Sequence, residues 1–165
     1  MPGKAHAWVL DEWVTGLLRD NPSYTTCCIQ MSHAINMAFY LKDAKKMVGP
    51  RSKRAGGEPG RANHSADIGP PVSRKFYYVA AVDEFKEFLT DTFGDGENIS
   101  GPKDVAGRPG IMIFMNKKRY GEHAELWDGS DFHQGWMKAQ AKLAPTNKFY
   151  PFSWSPIWFW TVAPG

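Results

Sequence analysis

Apolar positions recur along this chain in two periods. Between Trp8 and Leu18 they fall at Val9, Trp13 and Leu17, one stripe of an amphipathic helix that Asn21-Pro22 closes. Thr25 or Thr26 can cap a second helix, which turns Ile29, Ala34, Ile35, Ala38 and Phe39 inward and has Gly49-Pro50 as its limit. Residues 49–71 interleave Gly, Pro, Arg and Ser and read as a long loop, of the kind that often borders a site. Phe76–Ala80 is aromatic and β-branched, a short strand. Helical spacing returns in Val82–Phe93, with Val82, Phe85, Leu89 and Phe93 on one face and Gly94 as the stop. Asp95–Pro109 reads as loop, and the apolar run Gly110–Met115 as a buried strand. His123–Trp127 and Ser130–Trp136 read as a hairpin, because Asp128-Gly129 suits a two-residue type I′ turn. Ile157–Val162 closes the chain as a strand. Helices come first and strands cluster later. The expected architecture is one α+β domain over residues 1–165, N-terminal helices packed on an antiparallel sheet.

Composition narrows the setting. Seven Trp, six Tyr and ten Phe imply a tightly filled core or an aromatic groove. The two cysteines are adjacent, so they cannot make a disulfide framework, and a vicinal bridge is strained. The first eighteen residues carry Lys4, Asp11 and Glu12 and lack an apolar h-region. The expectation is a protein made in the cytoplasm and exported without a cleaved leader. No run reaches the ~18 apolar residues that span a membrane. Net charge is +3 but uneven: residues 42–61 carry +5, from seven bases and two acids. That segment reads as a solvated loop, or as a guide toward an anionic polymer.

Candidate chemistry sits in two segments. Thr26-Cys27-Cys28 puts a thiol at a helix start, where unpaired N–H groups and the helix dipole favour a thiolate. Cys27 lies nearer that end, and Cys28 reads as core. Gly121-Glu122-His123-Ala124-Glu125-Leu126-Trp127-Asp128-Gly129 puts a histidine on a strand before a tight turn. A cysteine at a helix N-terminus with a histidine on a distant strand is how papain-like hydrolases assemble nucleophile and base. In a hairpin with a two-residue turn, Trp127 faces Ser130 and His123 faces Gln134, so the Gln134 amide can orient the ring. Asp131 then points to the other face, and becomes the alternative third member if the loop is longer. His6, His33, His64 and His133 are less well placed, and no Cys or His spacing supports a metal site. No cofactor is expected.

These segments resemble the fourth family of type VI secretion amidase effectors, NlpC-like papain-fold peptidoglycan hydrolases. Its Cys-x-Ile-Arg-Met-Ser-x-x-Leu-Asn pattern is similar to Cys27–Asn36, with Gln30 in place of Arg. Its Gly-His-x-x-Leu-Trp-Asn/Asp-Gly pattern is similar to Glu122–Gly129. The likeness extends through Lys75–Tyr78, Leu89–Thr92, Gly110–Ile113 and Ile157–Trp160. The resemblance implies Cys27 as nucleophile and His123 as base. The family's third member, an acid eleven residues after the histidine, falls on Gln134. It further implies cleavage between D-glutamate and meso-diaminopimelate in the cell-wall stem peptide. Delivery would be by the type VI apparatus into the periplasm of a rival bacterium, with an immunity protein as partner in the producer. The alternative reading is a non-catalytic module on the same fold that binds cell wall or another anionic polymer. Nucleic-acid binding ranks below both, because the basic segment lacks interleaved aromatics.

Overall fold

The computed structural model describes residues 26–39, 42–49, 64–67, 75–79, 81–115 and 122–162. The expected helix at Trp8–Leu18 lies outside them, as do Asn21-Pro22 and Thr25. Internal contacts divide the chain into two compact units, Met1–Phe88 and Leu89–Gly165.

In the first unit, helix α1 (Thr26–Phe39) is followed by a 3-10 turn at Ala44–Lys46. The helix stops at Phe39, ten residues before Gly49, and the turn begins where the Asp43 side chain accepts the Lys45 N–H. Strands β1 (His64–Asp67) and β2 (Lys75–Tyr78) pair antiparallel, from His64↔Tyr78 to Asp67↔Lys75. Helix α1 packs on β2. It is buried nearly all round: Ile29, Met31, Ile35 and Phe39 are in the core, and so are Ser32 and Asn36. Those two polar side chains form the seam. Ser32 Oγ donates to the Cys28 carbonyl (2.7 Å) and accepts the Val79 N–H (3.0 Å). Asn36 Nδ2 donates to the Tyr77 carbonyl (2.7 Å), and its Oδ1 accepts the Val48 N–H (2.8 Å). Backbone groups just past and within the strand are thus satisfied by the helix, which fixes helix against strand.

Helix α2 (Val82–Phe93) contains the boundary between the units. It buries Val82, Phe85 and Leu89, while Phe93 is only partly covered. Gly94, at φ +88°, ends it, and its N–H returns to the Thr90 carbonyl.

The second unit is built on a four-stranded antiparallel sheet of order β3-β6-β4-β5. Its strands are β3 (Glu97–Ile99), β4 (Gly110–Phe114), β5 (His123–Trp127) and β6 (Ile157–Thr161). All five residues of β4 are buried, which is why its sequence is apolar without alternation. One sheet face carries Met112 and Phe114 of β4, Ile157 and Phe159 of β6 and Trp127 of β5. They form one core with Val105, Phe132, Met137, Phe152 and Trp154. Helix α3 (Gly135–Ala141) contributes Met137. The architecture is α+β, as its segment order implies. No helix among the described residues is long and apolar enough to cross a membrane.

Three segments differ from expectation. The loop at 49–71 contains β1, and the loop at Asp95–Pro109 contains β3 and a 3-10 turn at Pro102–Val105. Both strands are short and polar, held by a partner strand rather than by their own pattern. The expected strand Ser130–Trp136 does not form. Asp128 Oδ1 accepts the N–H groups of Ser130 (2.8 Å) and Asp131 (2.7 Å) and the Ser130 hydroxyl. The Asp128 N–H closes on the Asp131 carbonyl, so the loop spans four residues. A single bridge follows, Trp127↔Phe132, before the chain turns into α3. A side chain that caps the turn locally has displaced the two-residue turn.

Gly110 marks the tightest approach in the sheet. A Cβ there would collide with the Trp160 carbonyl and come within 2.6 Å of the Phe159 ring. Gly110→Ala is therefore expected to destabilise the protein by about 1–3 kcal/mol, read as a lower midpoint in urea. An unchanged midpoint would show that β6 yields freely.

Candidate active site

The candidate nucleophile lies on α1, in the first unit. Cys27 is the second residue of the helix and is 6% exposed, while Cys28 behind it has no exposed surface. The two Sγ atoms are 3.9 Å apart, and neither cysteine is in a disulfide. Cys28 faces the core, and its carbonyl takes the Ser32 hydroxyl. Cys27 is buried too but keeps a little exposed surface, and it lies in the first turn of the helix, where N–H groups have no partner within the helix. The seam through Ser32 and Asn36 fixes that end of α1 on β2.

His33 lies further along the same helix. It is buried and stacked on Tyr78, with Nδ1 3.2 Å from the phenol oxygen. Burial pushes the Tyr78 phenol up to about 12. This pair belongs to the packing of α1 on β2.

The candidate base lies on β5, at the edge of the second unit's sheet. Period two places His123, Glu125 and Trp127 on the core face of that strand. His123 is mostly covered. It pairs across the ladder with Phe114, whose ring is stacked at 6.3 Å between centroids. Trp136 of α3, half exposed, tilts over it at 4.9 Å. Nε2 of His123 stands 3.4 Å from Oε2 of Glu125, a side chain with no exposed surface. The other Glu125 oxygen accepts the Leu126 N–H at 2.9 Å.

Gln134 enters this region by another route than the hairpin arithmetic. The register that would set it opposite His123 is absent, because Trp127 pairs with Phe132 rather than Ser130. Gln134 is instead the N-cap residue of α3, and its Oε1 accepts the Trp136 indole N–H at 2.6 Å. It is therefore joined to His123 through the Trp136 ring. Asp131 shapes the loop: its carbonyl takes the Asp128 N–H and its Oδ1 the Phe132 N–H (2.8 Å). The N–H of Asp131, then the N–H and hydroxyl of Ser130, hold the Asp128 carboxyl below the usual range.

His133 is exposed, His6 lies outside the described residues, and His64 is described only as a β1 residue. Of the basic segment 42–61, Lys42 and Lys45 are exposed, and Lys46 pairs with Asp43 at 3.7 Å. Arg51, Lys53, Arg54 and Arg61 lie outside the described residues. No three His, Cys, Asp or Glu side chains among the described residues gather as metal ligands would. Glu125 was missed in the sequence, although His-x-Glu on a strand puts both side chains on one face. Trp136, read as a strand residue, was missed for the same reason as the hairpin.

Residues 24–160 match the family described as type VI secretion system (T6SS), amidase effector protein 4, Tae4. No curated protein gives a match. Among solved structures, the Tae4 effector of Enterobacter cloacae is 22% identical, with a TM-score of 0.50, over 84% of this chain and 73% of that one. The same effector in its Tae4–Tai4 effector–immunity complex gives 22% and 0.48, over 84% and 75%. Tae4 from Salmonella typhimurium, in complex with the Enterobacter cloacae immunity protein Tai4, gives 17% and 0.48, over 99% and 100%.

The burial difference predicts thiol reactivity. A small alkylating reagent at neutral pH should label Cys27 in the folded protein well before Cys28, as mapped by tandem mass spectrometry. Equal labelling of the two would remove the distinction between them.

Proposed function

Because the chain belongs to the type VI secretion amidase effector 4 family, we propose that it is a cysteine amidase cutting the D-glutamyl–diaminopimelate bond of the peptidoglycan stem. Members of this family are amidase effectors of type VI secretion, and a peptidoglycan hydrolase role follows for this chain. The observation that carries the cysteine chemistry is the preparation of two residues within one family match. Cys27 sits in the first turn of a buried helix with a little exposed surface, and His123 is held against the Phe114 and Trp136 rings with a carboxylate 3.4 Å from Nε2.

In the proposed reaction the Cys27 sulfur attacks the amide carbonyl. A C–S bond forms, the Cys27 backbone N–H supports the oxyanion, and the C–N bond breaks. His123 takes the thiol proton and passes it to the departing amine. Water, deprotonated by His123, then splits the thioester and restores the thiol. Gln134 is the third member, acting through Trp136, and Asp131 is the alternative. The chain acts in the periplasm of the bacterium that receives it, made in the producer's cytoplasm and carried by the type VI apparatus. Solved relatives are complexed with an immunity protein, and we assign this chain a partner of that kind in its producer.

Mass spectrometry of purified muropeptides provides the test. Wild-type protein should release products cut at D-glutamyl–diaminopimelate, while Cys27→Ala and His123→Ala should each leave them intact. Unaltered muropeptides with folded wild-type protein would favour a binding module instead. A separate comparison addresses the third member. Gln134→Ala should lower turnover by about 10–100-fold, the scale of losing an orienting partner, and Asp131→Ala should lower it little. The reverse ranking would transfer the role to Asp131.

A further inference from the structure

Glu125 poses a problem that packing does not answer. It lies on the core face of β5, opposite Met112 of β4 and between two residues, His123 and Trp127, that share its face. Its side chain has no exposed surface. An isolated ionised carboxylate in such a place is costly, and an apolar residue of its size would serve the core better. Its polar contacts are two, and each carboxylate oxygen has one. Oε1 accepts the Leu126 N–H at 2.9 Å. Leu126 also gives its carbonyl to the His133 N–H, outside the β4 ladder. In a strand the N–H and C=O of one residue point the same way, so the Leu126 N–H also faces the sheet edge, where no strand among the described residues pairs with β5. Oε2 meets His123 Nε2 at 3.4 Å.

We propose that Glu125 is the positioning residue of His123: its buried carboxylate fixes the ring through Nε2 and offsets the charge the ring gains as base. This rests on the reading of His123 as the base for Cys27. The geometry has a directional consequence. An ionised carboxylate only accepts, so Nε2 must carry the proton and Nδ1 becomes the basic nitrogen. A protonated carboxyl would donate to Nε2 and leave Nδ1–H, which cannot act as a base. The cross-strand Phe114 and the overlying Trp136 hold the ring plane, so Glu125 need supply only direction and charge. A carboxylate has two acceptor atoms for two donors, whereas an amide has one. Glutamine at this position can keep the Leu126 bond through its oxygen only by turning its NH2 toward Nε2, a donor that selects the Nδ1–H tautomer.

Nitrogen-15 histidine NMR tests the assignment without requiring any hydrolysis. In Cys27→Ala protein, with the His123 signals identified by their loss in His123→Ala, the neutral ring should be the Nε2–H tautomer. Glu125→Gln in that background should shift the neutral ring away from Nε2–H, toward Nδ1–H. A neutral ring that is Nδ1–H in the unaltered Glu125 protein would overturn the proposal, whether or not the variant folds. With Cys27 present, Glu125→Gln should cut kcat about 10–100-fold with KM little changed and a thermal midpoint no lower than wild type. Full turnover by folded Glu125→Gln, while Cys27→Ala and His123→Ala are inactive, would sink this proposal and leave the cysteine mechanism standing. Absence of turnover in the wild type, with the Nε2–H tautomer present, would count against the mechanism and not against Glu125.

Discussion

The fixed position of β4 is the constraint on which the second unit depends. It is buried along its whole length and paired on both sides, by β6 from Gly110↔Thr161 to Phe114↔Ile157 and by β5 from Gly110↔Trp127 to Phe114↔His123. Gly110 admits the Trp160 carbonyl and Phe159 ring where no side chain would fit. With β4 locked, the register of β5 is locked as well, because a slip of one residue would turn Trp127 out of the core. That register delivers His123 to the end of the ladder beside Phe114, and brings Glu125 with it onto the same face. The side chain proposed as the base is placed by the packing of residues that have no chemistry of their own.

The first unit solves the matching problem with polar contacts. Helix α1 is almost wholly buried, so its orientation cannot come from an amphipathic stripe alone. Ser32 and Asn36 supply it, each satisfying strand-side backbone groups while buried. The segment Met31-Ser32-His33-Ala34-Ile35-Asn36 that follows the cysteines thus serves position. Ser32 and Asn36 tie the helix to β2, His33 stacks on Tyr78, and Cys27 is held in the first turn with a little exposed surface.

Elements with strong periodicity or an unbroken apolar run were legible in the sequence. Helix α2 has the expected bounds, and β4, β5 and β6 agree within one residue. Such elements declare themselves through the surface they bury. Strands β1 and β3 do not, since His64–Asp67 and Glu97–Ile99 exist by virtue of the strands beside them. The hairpin failed at one side chain. Asp128 captures the next N–H groups, the turn widens, and α3 replaces the second strand. Of the candidate site, the placement of Cys27 at a helix start and of His123 on a strand was legible, and both elements form there. Glu125 was not, because a glutamate is presumed exposed unless something pays for its burial. Gln134 was placed near His123 by a register that does not form; its Oε1 takes the Trp136 indole N–H, and the Trp136 ring tilts over His123.

The central claim is that one thiol, held at the end of α1, carries the acyl group while the histidine of β5 moves the protons. Rapid-quench mass spectrometry during turnover of a soluble stem peptide tests it most directly. The account predicts a covalent acyl adduct of the D-glutamyl side of the peptide, mapped by fragmentation to Cys27, that forms and decays at a rate consistent with product release. Turnover with no adduct under trapping conditions that retain thioesters, or an adduct on Cys28, would contradict it.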